Sequence, residues 1–558
     1  MHRAPSGLDI PLIPINNEEE GGRSSEDFEH DRRLNASAVA WELRTILVVS
    51  ALYQGSTFLN ADLGAAFYRT LVNCPTKPPF DTPAPRSSGD WSGSQNCFDK
   101  DYTLNKAQGM AGQLTSIEAG LNIVALVFLA PKSDAWGRRP LLMLSMLGFA
   151  VSFLMLFCAR FLQTGSPSQL VLVYLAVLPR GLLNTFISNM VAMVSDLSPS
   201  NETGRGVYLS IYNMSTACGM FVGLSAGLGV LSLRLYDYSF VYLFAFGVAA
   251  VAAYLASKLK ETLPPSMRKS SLALHKDSRR GSGQPIDSSG SASVFEGFKL
   301  AIGSSFLRIM IPVTFLINLP VWGAIGIIAS WAIAILGYNQ VTAALGAVTI
   351  QFTLVLGFFM NAKLQEGGHT PYSTFTIGAL VLTFAFALWG FVAATVKGVY
   401  WLCIQIMGIG FGFVIPSSQT IVSLQVDNED QGKLQASSPT AHTTQHRSCI
   451  DSASANCFVS SPNTHLHLQS PTTRQAVFNI AVAVAMALGY LVWSDILFNA
   501  RSHGVKAGLP FLVSAAVIGI SLLLFQLATP KPPRRRESPH PCPLLLLIAH
   551  ISSSSGHK

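Results

Sequence analysis

Charge is scarce in this chain. Only 12% of its 558 residues are Asp, Glu, Lys or Arg, and 49% are apolar, whereas soluble domains carry about 25% charged residues. That shortage excludes an ordinary soluble globular chain. Cysteine is sparse as well: eight residues, with no CxxC or other metal-ligand spacing, which gives no sign of a zinc site or a disulfide scaffold. The short signatures of common catalysts are missing, since there is no HExxH, no GxSxG with a suitably placed His and no GxxxxGK[ST]. We therefore expect no enzyme, no cofactor and no metal. The His-rich stretch 442–467 lies in Ser-, Thr- and Pro-rich sequence and reads as low complexity. The first 40 residues are polar and acidic and hold no apolar h-region, which predicts insertion directed by the first spanning helix itself. The net charge of +8 does not point to nucleic acid, because the bases lie between apolar segments.

Those apolar segments are what the chain has in abundance. Runs of roughly 20 residues, the length that crosses a hydrocarbon core, recur from end to end. Twelve spans are predicted: 42–66, 109–131, 140–160, 169–192, 206–230 and 238–257, then 308–336, 341–361, 373–394, 398–424, 474–498 and 508–528. Each must be a helix, because lipid offers no partner to a free backbone group. The expected organisation is a tail at 1–41, a six-helix bundle at 42–257, a polar linker at 258–307, a second six-helix bundle at 308–528 and a tail at 529–558. The linker is rich in Lys, Arg, Ser and Gly, and the second tail carries Arg534–Arg536. Positive residues favour the cytosolic face, so both termini and the linker are expected inside. This makes an integral multi-pass protein of the plasma or vacuolar membrane. The linker also contains RRGS at 279–282, a basic-directed phosphorylation pattern of low specificity.

The long loop 67–108 carries Cys74 and Cys97. If it faces an oxidising compartment, two readings stand, a bridge closing the loop or two free thiols. The segment 436–473 has a Ser, Thr and His bias foreign to its surroundings. It reads either as a regulatory cytosolic loop or as intron sequence translated in frame.

The two bundles echo one another. Span 4 ends in VSDLSPSNETGR, with Asp196, Glu202 and Arg205. Span 10 ends in LQVDNEDQGK, with Asp427 and Lys433. An acidic patch followed by Gly and a base at the same place in both bundles is the mark of a parallel duplication.

The turn between spans 2 and 3 reads LAPKSDAWGRRP (129–140). It resembles the signature loop of the major facilitator superfamily, Gly-x-x-x-Asp-Arg-x-Gly-Arg-Lys/Arg. Asp134, Gly137, Arg138 and Arg139 match; Ala130 replaces the first Gly and Ala135 the first Arg. The resemblance implies an all-helical membrane fold of twelve helices in two six-helix pseudo-repeats. It also implies alternating-access movement of a small solute, with this loop as a latch whose Asp faces the start of span 11. A monomer is expected. Span 5 reads CGMFVGLSAGLG, without the Pro usual in drug/proton antiporters. Gly219, Gly223 and Gly227 share one face, a spacing that lets helices approach closely. The long Cys-containing loop is similar to that of fungal proteins related to proton-coupled folate transporters.

Ionisable side chains at mid-membrane are costly and point to function. Glu118 lies about halfway along span 2 and Arg180 about halfway along span 4. We expect them to pair and the carboxylate to take up and release a proton during transport. Asn184, Asn318, Gln405 and Gln419 are further polar candidates for contact with solute or proton. Asp62 reads as a rim residue. Pro320 in span 7, beside Asn318, predicts a kink. A transporter-like nutrient sensor, or the non-functional product of a mis-spliced gene model, are the competing readings.

Overall fold

The computed structural model describes residues 25–59, 100–162, 166–198, 202–232, 239–262, 307–393, 396–436, 471–499 and 505–528. Among them every regular element is helical. Ten helices are long and apolar enough to cross a membrane, and Phe240–Ala256 is a shorter apolar one.

Span 1 is the helix Ser25–Phe58, span 2 is Lys100–Phe128 and span 3 is Arg138–Cys158. Span 5 is Glu202–Ser232 and span 6 Ser239–Ala256. The second set comprises span 7, Leu307–Ile335, span 8, Gln340–Glu366, and span 9, Pro371–Leu388, which ends in a π-helical turn. Span 10 is Lys397–Ala436. Span 11, Pro471–Leu491, also closes with a π-helical turn. Span 12 is Val505–Ala528.

Span 4 departs from the sequence expectation. It is two helices, Pro167–Leu182 and Phe186–Leu197. Pro179 removes a backbone donor and its ring disfavours a helical residue before it. A backbone donor at the break finds a partner in span 3, since the Thr185 N–H donates to Ser145 Oγ at 3.0 Å, and the Thr185 hydroxyl in turn accepts from Asn189 Nδ2 at 3.0 Å. Span 7, where a kink is predicted, runs as one helix through both Pro312 and Pro320. Proline alone does not break a packed helix; in span 4 it is followed two residues on by Gly181, where span 2 presses in. A Cβ at Gly181 would stand 2.5 Å from Leu121 Cβ and 3.0 Å from the Glu118 carbonyl oxygen.

Two apolar cores form, one for each set of six spans. Ile46, Phe149, Met190 and Tyr212 lie in the first; Val321, Trp331, Phe386 and Phe511 lie in the second. The halves meet where span 2 packs on span 11 and span 5 packs on span 8. Inside the first half, span 5 lies close against span 1. A Cβ on Gly219 would come within 2.1 Å of the Ala51 carbonyl oxygen, and one on Gly223 within 2.3 Å of the Gly55 carbonyl oxygen. The expected glycine seam is thus a backbone-to-backbone contact.

Candidate functional site

The turn after span 2 and the tail end of span 4 mark one end of the bundle, here the motif end. Gly137 opens span 3 with a φ of 94°, a conformation that side chains disfavour. The backbone N–H groups of Arg138 and Arg139 donate to the two oxygens of the Glu261 carboxylate at 3.0 and 3.1 Å. An acidic side chain on a helix N-terminus satisfies free donors and complements the helix dipole. The Arg138 guanidinium is fully buried and pairs with Asp196 at the end of span 4. The Arg139 guanidinium donates to the Ser257 carbonyl. Glu42 in span 1 accepts from the Lys260 N–H at 3.2 Å. Spans 1, 3, 4 and 6 are therefore tied together by the loop's two arginines and three carboxylates, Glu42, Asp196 and Glu261, all within the first half. The side chains of Asp134 and Ala135 lie outside the described residues. Ala130, at the position of the family's first Gly, is buried against Ile480 and Ala483 of span 11, so a small residue is required there by packing.

Contacts that cross between halves at this end come from span 5. Arg205 donates to the Ser423 carbonyl in span 10 at 3.2 Å. Asn213 Nδ2 donates to Gln419 Oε1 at 2.8 Å, and Asn361 Nδ2 in span 8 donates to Ser210 Oγ at 2.9 Å. Gln419, a solute candidate by sequence, is placed in the seam between halves. The side chains of Glu202, Asp427 and Lys433 lie outside the described residues, as do Asp62, Cys74 and Cys97, and with the last two the loop that carries the branch-level resemblance.

At mid-depth the structure brings Glu118 and Arg180 together as an ion pair, with side-chain exposures of 16% and 21%. Arg180 sits beside the span-4 break. Val171, Leu175, Leu178 and Leu182 form an exposed apolar stripe on the same helix. At 3.6 residues per turn, Arg180 points to the opposite face, into the bundle. Its guanidinium lies 5.9 Å from the Phe149 ring centroid. Tyr53 in span 1 stacks on Phe186 at 3.6 Å, meets Phe149 edge-on at 4.7 Å and donates to Asn184 Oδ1 at 3.4 Å. Both members of the pair act electrostatically on the Tyr53 hydroxyl, and Glu118 also acts on that of Tyr490 in span 11. The pair therefore lies among spans 1, 2, 4 and 11, near the seam of the halves.

In the second half, Asn318 Nδ2 donates to the Thr314 carbonyl at 2.9 Å and its Oδ1 accepts from Trp322 Nε1 at 3.2 Å. Trp322 in turn meets the Phe411 ring. Gln405 is exposed, one turn from the exposed Leu402.

At the opposite, far end, a residue that sequence reading passed over joins the halves. Gln108 at the start of span 2 is buried. Its Nε2 donates to the Gly326 carbonyl at 2.8 Å and to Ser494 Oγ at 3.3 Å, and its Oε1 accepts from Ser330 Oγ at 2.6 Å. Glu261 and the span-4 break were likewise missed. For the break, the Pro179 to Gly181 spacing is a readable signal; for Gln108 and Glu261 nothing local distinguishes them. Among the described residues no three His, Cys, Asp or Glu side chains gather as a metal site.

Two six-helix halves around an inward-pointing ion pair define a multi-pass membrane carrier fold. The family model of the Major Facilitator Superfamily matches residues 95–440, and the chain belongs to that family of transporters. Solved structures agree in fold. The human organic anion transporter MFSD10 (TETRAN) is similar with a TM-score of 0.56 at 17% identity, over 87% of this chain and 98% of that one. The proton:xylose symporter XylE, bound to 6-bromo-6-deoxy-D-glucose, gives a TM-score of 0.56 at 11% identity, over 88% and 96%. A single-residue variant of the E. coli fucose:proton symporter FucP gives 0.52 at 10% identity, over 88% and 100%. No curated protein matches the sequence.

Proposed function

We propose that the protein is a secondary active transporter in which proton binding at Glu118 drives alternating access for a small solute. The observation that carries this reading is the Glu118–Arg180 pair. It is the one ion pair at mid-depth among the described residues, and it is partly exposed rather than sealed. A buried charge pair is a costly way to hold helices together, since well-packed apolar side chains often serve as well. Its position beside a broken helix is where carriers bind solutes and coupling ions. The titratable groups acting with Glu118 from neighbouring helices are Arg180, Tyr53 and Tyr490. Protonation of Glu118 would release Arg180 and loosen span 2 from span 4.

The base-rich linker and the arginines at 534–536 support a cytosolic motif end, with the far end outside. In this reading Arg138, Asp196 and Glu261 keep the first half rigid at the cytosolic face. Arg205 and the Asn213–Gln419 and Ser210–Asn361 bonds close the inner gate, and Gln108 closes the outer one. The test uses purified protein in liposomes, screened for solute uptake with and without an inward pH gradient. Wild type should accumulate solute only with the gradient. Glu118→Gln should bind and exchange solute but lose the response to pH. A Glu118→Gln carrier with unchanged proton dependence would refute the assignment.

A further inference from the structure

Away from the solute path, the motif ends of spans 1 and 6 present two exposed bases side by side. We infer that they form a binding site for the headgroup of an anionic phospholipid, held between Arg44 and Lys258. Spans 1 and 6 pack against one another and run in opposite directions. Glu42 accepts from the Lys260 N–H at 3.2 Å, which fixes their register. Arg44, two residues beyond Glu42, and Lys258, two residues before Lys260, therefore stand at the same level. On span 1 the exposed residues are Trp41, Arg44 and Val48; on span 6 and the turn after it they include Val251, Tyr254 and Lys258. Each set is spaced three and four residues apart, which is one stripe of a helix. The stripe of span 1 lies opposite the buried Ile46 and Tyr53, so it faces away from the bundle. The turn after span 6 keeps Lys258 on its stripe, because the Lys258 N–H still donates to the Leu255 carbonyl at 3.0 Å and Leu259 is buried behind it. The Lys258 Nζ stands 5.2 Å from the Tyr254 ring centroid. Both stripes thus join an apolar residue to an aromatic ring and a base, the sequence of chemistries that meets acyl chain, interface and headgroup.

Charge selects the occupant. Among the described residues neither Arg44 nor Lys258 is in an ion pair. Glu42 is buried, and residues two apart on a helix do not face one another, so it does not neutralise Arg44. Lys260 adds a third exposed base. Packed helix axes lie about 8–10 Å apart, a gap that two long basic side chains can close onto one phosphate. Arg offers a fork that fits two phosphate oxygens, and Lys a point charge. A headgroup of net negative charge complements these bases, whereas a zwitterionic one brings a competing cation to the same place. In the orientation proposed above, this end meets the cytosolic leaflet, where anionic lipids set a negative surface potential. Other exposed bases at this end are engaged differently: Lys132 stands over the Trp136 ring at 5.0 Å, and Lys363 pairs with Glu366 at 2.7 Å. The seated lipid bridges the first and last helices of the first half, at the level where Glu42 already joins them.

The test is lipid binding to the purified full-length protein in detergent, read by thermal shift and counted by native mass spectrometry. The probes are short-chain phosphatidylglycerol, the matching phosphatidylcholine and inorganic phosphate. Phosphatidylglycerol should raise the melting temperature saturably, with about one tightly held molecule per protein, and bind at least about tenfold more tightly than phosphatidylcholine. Inorganic phosphate should have no effect. Arg44→Gln and Lys258→Gln should each weaken phosphatidylglycerol about fivefold, and together about 25-fold. Arg44→Lys/Lys258→Arg, which keeps both charges, should keep the preference. Arg308→Gln, which removes an exposed base at the start of span 7, should leave it unchanged. The inference falls if phosphatidylcholine binds as tightly, if inorganic phosphate stabilises the protein in place of the lipid, or if both single variants bind like the wild type. It falls equally if Arg308→Gln weakens binding as much as Arg44→Gln, since the effect would then be one of net charge alone. Because the site lies on the outer face of the first half, Glu118→Gln should bind phosphatidylglycerol as the wild type does, so the lipid site and the proton reading fail separately.

Discussion

The two halves share a layout and differ in chemistry at the same depth. The first half holds Glu118 and Arg180, a helix broken at Pro179, and a backbone seam between spans 1 and 5. In the second half span 10 is unbroken and no Asp, Glu, Lys, Arg or His stands at mid-depth among the described residues. Its core is instead an aromatic block. Trp389 stacks on Phe511 at 4.2 Å, and Trp331 meets Phe511, Trp389 and Tyr400. The Trp331 N–H donates to the Ala507 carbonyl at 2.7 Å. Large, interlocked rings give a stiff wall, because buried aromatics contribute packing area and ring-to-ring contact; Trp389 Nε1 and the Tyr400 hydroxyl are buried within it without a hydrogen-bond partner. One half thus carries a charge pair and the other a block of rings.

The hardest blow to that asymmetry is Arg180→Gln. Removing one partner leaves the Glu118 carboxylate in a poorly solvated site, at a cost of about 3–5 kcal/mol. The melting temperature of the purified protein should fall by many degrees, and Glu118→Gln/Arg180→Gln should recover most of the loss while remaining inactive. If Arg180→Gln is no more costly than Gln405→Ala in the second half, the pair is not a distinguishing feature of the first.

The glycine seams probe the same comparison by packing. Gly219→Ala places a methyl carbon 2.1 Å from the Ala51 carbonyl oxygen, so spans 1 and 5 must separate. The expected loss is about 1–3 kcal/mol. In the second half, Gly412→Ala meets the Gly357 Cα at 2.7 Å, a lesser intrusion with a smaller expected loss. Gly229→Ala and Gly247→Ala meet nothing within 4 Å and serve as neutral controls. Equal unfolding midpoints for Gly219→Ala and Gly229→Ala would show that the seam is not tight.

The helices are legible in sequence because lipid imposes length and apolarity on each span, and those are local properties. Glu118 and Arg180 are legible for the same reason, as charges inside apolar runs. Depth can be read from the distance to a span's ends; direction around the helix and the identity of a partner cannot. Gln419 shows the difference. Its depth and polarity mark it as a solute contact, yet its bond goes to Asn213, which lies 206 residues earlier. Glu261 caps span 3 from 123 residues away, with nothing local to announce it. A Pro inside a span does not by itself end a helix, as span 7 runs on through Pro312 and Pro320; a break needs neighbouring helices that give the freed groups somewhere to go. Ser145 does this for span 4.

At the far end, Gln108→Leu removes three hydrogen bonds between the halves and leaves Ser330 and Ser494 to find other partners. Each bond contributes about 0.5–1.5 kcal/mol net, and re-pairing of the two freed Ser hydroxyls offsets part of the sum, so the closed far end should lose about 1–2 kcal/mol. That shifts the population of its open form by about 5- to 30-fold. Hydrogen exchange should rise over 326–336 and 490–498, while the Glu118–Arg180 region of the first half stays protected. Exchange unchanged in those segments would remove Gln108 from the gate.

The smallest effect is at the motif end, and it asks whether the halves are joined there by specific bonds or by shape. Asn213 donates to Gln419 at 2.8 Å and also to the Leu209 carbonyl of its own helix at 2.7 Å. Asn213→Ala therefore loses one cross-half bond and one local bond, while Gln419→Ala loses the cross-half bond alone. The pair's own coupling, isolated by a double-mutant cycle on unfolding free energy, should be about 0.5–1.5 kcal/mol. The neighbouring Asn361 to Ser210 bond and the close fit of Gly206 against Gln365 remain in every variant of the cycle, so the gate stays assembled and the difference reports this bond. A coupling indistinguishable from zero would mean that the seam between halves is held by packing of spans 5 and 8. The polar contacts there would then set register, and the rigid second half would carry the closure.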